Sequence, residues 1–176
     1  AGTVKNADFL RCVNNGTVTT DGDYVSGFAA KSETTTYTSC VNNGAITGRT
    51  KIGGFGGAVK STKTVDSYNT GTIGLAAYNG GNQGIGGLFG EMGYGSTLTR
   101  CYNTGAVTGD CYVGGLVGSV GSGSDAANGP SYIVDSYNSG SITGHSDKNY
   151  CGIGGLVGNL DAGMRSYSQS YIHNCY

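Results

Sequence analysis

The stretch Cys101-Tyr-Asn-Thr-Gly-Ala-Val-Thr-Gly109-Asp-Cys-Tyr-Val-Gly-Gly-Leu-Val-Gly118 holds two phrases that recur along the whole chain. The first starts at Cys12, Cys40, Ser67, Cys101 and Ser136 and reads Cys/Ser-Val/Tyr-Asn-x-Gly-x-Val/Ile; a truncated copy, Cys175-Tyr176, closes the sequence. Its anchors lie 28, 27, 34, 35 and 39 residues apart. The second phrase appears as Val25-Ser-Gly-Phe28, Ile52-Gly-Gly-Phe55, Ile85-Gly-Gly-Leu88, Val113-Gly-Gly-Leu116 and Ile153-Gly-Gly-Leu156. Two phrases in strict alternation mark a repeat architecture, in which each unit buries its apolar face against its neighbours.

The chemistry of the phrases selects the kind of repeat. Gly, Thr, Asn, Val and Tyr favour strands and turns, whereas helical repeats of similar length are built from helix formers. Each repeat holds three short apolar pieces, read as three short strands with bends between them. The expected fold is therefore all-β: a parallel β-helix, or β-solenoid, of five to six rungs, taken as right-handed. It forms one domain over 1–176, with repeats at about 1–23, 24–50, 51–82, 83–111, 112–150 and 151–176. At about 4.8 Å per rung the rod is roughly 25–30 Å long. The Gly pairs are expected to take left-handed or sharply bent backbone, so that Ile85 and Leu88 both point inward. Insertions at 74–83, 119–130, 145–150 and 161–169 are rich in Gly, Ser, Asn and Asp and read as loops.

Composition agrees with a thin core. Gly supplies 35 of 176 residues, and Leu, Ile, Val and Phe together make under a fifth. Disorder is excluded by a net charge of −1 with 13 Tyr and many β-branched residues. A single Pro excludes collagen. No apolar run is long enough to span a membrane. Near-neutral charge leaves no footprint for nucleic acid. A start at Ala1 without Met or leader reads as a mature secreted chain or an excised piece, and six Cys suit an oxidising compartment.

Stacking turns equivalent positions into columns. Asn14, Asn42, Asn69, Asn103 and Asn138 form one, expected to bond backbone groups and one another at a bend. Beside it run Cys12, Cys40, Ser67, Cys101, Ser136 and Cys175. Cys12 with Cys40, and Cys111 with Cys151, lie in adjacent rungs at a spacing that allows disulfides. Free stacked thiols are the alternative, and no Cys or His spacing suggests zinc or another metal. Arg11, Ser39, Asp66, Arg100, Asp135 and Asn174 precede the Cys/Ser column, with alternating charge at Asp66, Arg100 and Asp135. That alternation reads as ion pairing on a solvent face. It does not read as a glycosidase acid pair, because the Arg between would hold both carboxylates ionised. Val13 and Val41, then Tyr68, Tyr102, Tyr137 and Tyr176, form an outward column, a candidate surface for a glycan or a partner. Thr19, Thr47, Thr108 and Thr143 make a column that would suit ice adsorption were it not broken at Gly74. Enzyme motifs are absent: no HExxH, no GxSxG, no P-loop. Gly-rich runs such as 80–87 precede no helix and so are not phosphate loops.

The elements Gly-Gly-Leu-Val-Gly at 114–118 and 154–158, with Gly-Gly-Leu-Phe-Gly at 86–90, resemble the GLUG repeat, as does the Cys/Ser-Tyr-Asn-x-Gly-x-Ile/Val-Thr-Gly phrase. The first two copies depart from it, with Gly27-Phe-Ala-Ala30 and Gly54-Phe-Gly-Gly57. The resemblance implies a bacterial surface or secreted protein with an adhesive, stalk or spacer role, and it supplies no catalytic residue. The expectation is a non-catalytic, cofactor-free extracellular scaffold. Its partners are a further copy stacked end to end or flanking domains. A carbohydrate-binding module using the Tyr column or the 119–130 loop is the alternative, with a polysaccharide-processing β-helix behind it.

Overall fold

The computed structural model describes residues 2–77, 84–121, 129–145, 151–160 and 170–176. Among them are 25 strands and no helix, and every strand pair is parallel. Three sheets have five strands each and a fourth has ten. The arrangement is consistent with a parallel β-helix. No crossover helix is needed, because the chain passes through turns from one sheet to the next and returns to the first sheet one unit later.

Three sheets repeat a short strand once per unit. The asparagine sheet pairs Val13–Asn14, Val41–Asn42, Tyr68–Asn69, Tyr102–Asn103 and Tyr137–Asn138 in register. The threonine sheet pairs Val18–Thr19, Ile46–Gly48, Ile73–Leu75, Val107–Gly109 and Ile142–Gly144. The isoleucine sheet pairs Asp23–Ser26, Thr50–Gly53, Ile85–Gly86, Val113–Gly114 and Ile153–Gly154. In the fourth sheet Ala29–Thr38 is one long strand against Thr3–Leu10. Its first half pairs Gly56–Lys60 and its second half pairs Lys63–Val65, so later units split the same path into two pieces. The expected three strands per unit are therefore four sheets with up to five pieces. The extra breaks fall at corners, some without Gly or Pro, as at Ser61–Thr62, and some marked by Gly, as at Gly93 and Gly95. Of the expected loops, 74–83 and 119–130 begin later than read, because Ile73–Leu75 and Val117–Val120 are strands. Residues 78–83, 122–128, 146–150 and 161–169 lie outside the described residues.

The apolar positions flanking each Gly pair enter two separate cores. Ile85, with Val25, Ile46, Ile52, Ile73, Val107 and Val113, fills one; Leu88, with Phe28, Phe55 and Leu116, joins the other. The second cluster carries the aromatic side chains, with Phe9 stacked on Tyr37 at 4.9 Å and Phe28 on Phe55 at 4.9 Å. The chain bends at 54–55, 87–88 and 115–116, with Ile85 and Leu88 both buried, and of the two expected conformations only the left-handed one is absent. None of the pairs at 53–54, 86–87 and 114–115 is left-handed; left-handed glycines occur at Gly84, Gly95, Gly121 and Gly129. The pairs are glycine for want of space. A Cβ on Gly87 would lie 2.3 Å from the Gly115 carbonyl oxygen and 2.4 Å from Asn103 Cγ. The second Gly of each pair is thus kept small by the next repeat's carbonyl and by an Asn of the first phrase, and the first Gly, as at Gly86, by backbone alone.

The same crowding governs the glycine of the first phrase. A Cβ on Gly105 would sit 2.0 Å from the Gly71 carbonyl oxygen, where backbone and not a yielding side chain is met. Gly105→Ala is expected to cost about 1–3 kcal/mol by forcing two repeats apart. Urea unfolding measures this, and a midpoint equal to that of the parent chain would contradict the close approach.

Candidate functional site

Six non-glycine residues share one strained corner. Arg11, Ser39, Asp66, Arg100, Asp135 and Asn174 all have φ between 50° and 53°. Left-handed backbone costs an L-residue roughly 1–2 kcal/mol. The Cys/Ser column supplies the compensation by bonding across the corner. Ser67 Oγ donates to the Val65 carbonyl at 2.8 Å and Ser136 Oγ to Val134 at 2.8 Å. The thiols of Cys12, Cys40, Cys101 and Cys175 make the same contact to Leu10, Thr38, Thr99 and His173 at 3.1–3.5 Å. Each serine also accepts from the repeat before it, Cys40 N at 3.0 Å and Cys101 N at 3.1 Å. Cys and Ser alternate there because both are small, with a donor one bond from Cβ. A second such corner sits at Thr34 and Ser61, where Thr35 and Thr62 bond across to Glu33 and Lys60. Sequence reasoning missed both corners: Asp66, Asp135 and Asn174 are residues that tolerate left-handed backbone, but Arg11, Ser39 and Arg100 at equivalent positions hide that signal.

The asparagines form a continuous chain of amides. Asn14, Asn42 and Asn69 each donate from Nδ2 to the next Oδ1 at 2.7 Å, and Asn103 donates to Asn138 at 2.8 Å. The other Nδ2 proton goes to the carbonyl two residues on, as from Asn69 to Gly71 at 2.7 Å. Asn42, Asn69 and Asn103 are wholly buried, so both donor protons are used inside the protein. Amides aligned in one sense polarise one another.

On the outer side of the same sheet, Tyr68, Tyr102, Tyr137 and Tyr176 stack nearly parallel. Ring centroids are 4.5, 5.0 and 5.2 Å apart, with interplanar angles of 4–7°. The first three are half-buried and Tyr176 is 80% exposed. Burial raises the Tyr102 phenol above its ordinary value, and the neighbouring phenols of Tyr68 and Tyr137 add to this. A second stack, unforeseen, pairs Tyr132 with Tyr171 at 5.1 Å on the long sheet. Its signal was in the sequence, for the Ser-Tyr-Ile of 131–133 recurs at 170–172.

The charged column pairs as one exposed fork. Arg100 Nε and Nη2 donate to Asp66 Oδ1 and Oδ2 at 2.6 and 2.9 Å, while Asp135 accepts from Asn174 Nδ2 at 3.1 Å. The hydrogen bond from Arg100 lowers the Asp66 carboxyl. Arg49 grips Asp23 in the same bidentate way. A further pair joins Lys51 to Glu91, with Lys51 also near the Tyr24 ring. Thr19, Thr47, Gly74, Thr108 and Thr143 stand in register, with the break at Gly74.

The two candidate disulfides part company. Cys111 and Cys151 are bridged, with Cα atoms 4.7 Å apart. Cys12 and Cys40 are not. Both of those thiols turn inward onto the carbonyls across their corners, and Cys40 Sγ also reaches the Phe9 carbonyl at 3.3 Å. Equal spacing therefore gave unequal outcomes because side-chain direction differs. The bridge closes a span of 40 residues. Its reduction is expected to cost about 4 kcal/mol through loop-closure entropy. Denaturation with and without a thiol reductant, compared with the Cys111→Ser/Cys151→Ser chain, measures it; an unmoved midpoint would remove the bridge from the account of stability. No group of three or more His, Cys, Asp or Glu side chains able to hold a metal occurs among the described residues.

Comparison with protein-family models, with curated proteins and with solved structures finds no match to this chain.

Proposed function

We propose that this chain is a non-catalytic extracellular scaffold, a right-handed β-solenoid of five to six turns serving as an adhesive, stalk or filament-forming surface element. The observation that carries the reading is the amide chain from Asn14 to Asn138. The recurring polar groups of the first phrase are used to hold one repeat on the next, which is what a load-bearing rod requires. The Cys111–Cys151 bridge adds support, since disulfides persist in oxidising compartments. The GLUG-like phrases point to the same setting. Antibody against the chain is expected to label intact producing cells or their medium, with the signal removed by external protease. Labelling that appears only after permeabilisation would overturn an extracellular role. End-to-end association, if it is the mode of assembly, shows as mass growing with concentration; a monomer throughout the micromolar range counts against filaments.

The carbohydrate-binding alternative draws on the exposed Tyr column, but the stacking limits it. Rings that cover one another's faces leave edges and hydroxyls outward. Glycan binding lost in Tyr102→Ala and also in Tyr176→Ala would favour this role over a pure scaffold. Residues 122–128 of the candidate loop lie outside the described residues.

A further inference from the structure

The tyrosine stack has a reactivity that neither the scaffold nor the glycan reading uses, and that depends on neither. We propose that Tyr68, Tyr102, Tyr137 and Tyr176 form a site of oxidative modification, at which neighbouring repeats become joined through dityrosine. The oxidant is hydrogen peroxide acting through a haem peroxidase.

Tyr68 and Tyr102 are directly opposed residues of adjacent strands, as are Tyr102 and Tyr137. Their rings lie 4.5 and 5.0 Å apart and almost parallel. The faces are turned to each other, so the half-buried side chains present their edges, which carry the hydroxyl and the ortho carbons. Those are the atoms that lose an electron and that couple. The peroxidase removes one electron and one proton from each of two phenols. The two radicals then form a bond between ortho carbons, and loss of the two ortho hydrogens to the phenolic oxygens restores both phenols. The sum is two tyrosines plus one hydrogen peroxide giving one dityrosine and two waters. Holding the partners in contact makes the coupling step intramolecular, which favours it strongly over encounter between molecules. The adjustment required is rotation about the soft bond between Cβ and the ring.

At Tyr102 the neighbouring thiol does not divert the chemistry. Cys101, the residue before Tyr102, turns its thiol inward, where it is wholly buried. Burial pushes that thiol up to about 12, so it stays protonated, and thiols react chiefly as thiolates. Tyr37 is an internal control: it is buried and stacked on Phe9, without a tyrosine across from it.

The test uses the full folded chain with peroxidase and limiting peroxide, read by dityrosine fluorescence and, after thiol reduction, by mass spectrometry of peptides from combined cleavage after Lys/Arg and before Asp, which puts Tyr68, Tyr102 and Tyr137 on separate peptides. The expected product has lost two hydrogen atoms, runs as monomer under denaturing conditions, and maps to Tyr68–Tyr102 or Tyr102–Tyr137. Tyr102→Phe keeps the ring and hence the stack, and is expected to lose both of those linked peptides while circular dichroism stays that of the parent. Tyr37 is expected to remain unmodified. The proposal is overturned if the oxidised chain carries its change only on cysteine. It is equally overturned if the same linked peptides form as readily in urea-unfolded chain, or persist in Tyr102→Phe.

Discussion

Asn69→Asp is expected to destabilise the chain by roughly 5 kcal/mol at neutral pH and by much less in acid. Asn69 is wholly buried; it donates to Gly71 O and Asn103 Oδ1 and accepts from Asn42 Nδ2, all at 2.7 Å. A carboxylate keeps the acceptor role and loses both donor roles. Two buried acceptors are then orphaned at about 1–3 kcal/mol each, and a buried charge without a cation adds several more. Desolvation and the facing oxygens would raise the folded-state pKa of the new Asp above its ordinary value of about 3.9. A raised folded pKa means stability that is present below the unfolded value and lost as pH rises through the folded one. The deficit should therefore grow from about pH 4 upward until the new group is fully ionised. Urea unfolding of parent and variant across that range measures it. A deficit that does not change with pH, or one below about 1 kcal/mol, would mean that the amide chain contributes little.

The amide chain was legible before any coordinates because Asn at the third position of each first phrase leaves one alignment of the repeats. In-register pairing of Val13, Val41, Tyr68, Tyr102 and Tyr137 follows from the same alignment. What stayed hidden was conformation that the side chain does not encode. Arg11, Ser39, Asp66 and Arg100 have nothing in common except a left-handed φ imposed by the corner. Tyr24, Lys51 and Tyr112 are left-handed too, with φ of 50–57°, although bulky residues resist it. Conversely, Gly54, Gly87 and Gly115 read as glycines needed for backbone conformation and are sites where a Cβ has no room. A sequence does not tell a glycine needed for φ from a glycine needed for space. The paired phrases would have told it had they been read together, since each such glycine faces an asparagine of the first phrase. Side-chain direction was equally hidden, so Cys12 and Cys40 resembled Cys111 and Cys151. The tyrosine column was visible, but its parallel stacking, and with it the loss of flat faces for a sugar, was not.

Alkaline pH is expected to unfold the chain cooperatively between about pH 10 and 12, through two groups buried in the aromatic core. Burial pushes the Tyr37 phenol from 10.0 up to about 12, opposed by the Ser32 hydroxyl and raised further by Cys40. Burial likewise takes the Cys101 thiol from 9.0 up to about 12. Both pKa values are higher folded than unfolded, so their contribution is complete below pH 9 and disappears as pH climbs to 12. At about 1.4 kcal/mol per pH unit, Tyr37 accounts for roughly 3 kcal/mol and Cys101 for roughly 4. Together that is comparable to the whole stability of an ordinary domain, about 5–15 kcal/mol. Burial raises the Cys40 thiol in the same direction. Each group should add one proton to the slope of stability against pH in this window. Cys101→Ser places at that corner the residue already standing there at Ser67 and Ser136, and Tyr37→Phe keeps the aromatic stack on Phe9. Each variant is expected to lower the slope by one proton and to move the alkaline midpoint upward, followed by circular dichroism with urea titration at each pH. A slope that neither substitution changes would show that the core admits water to these groups before the repeats separate.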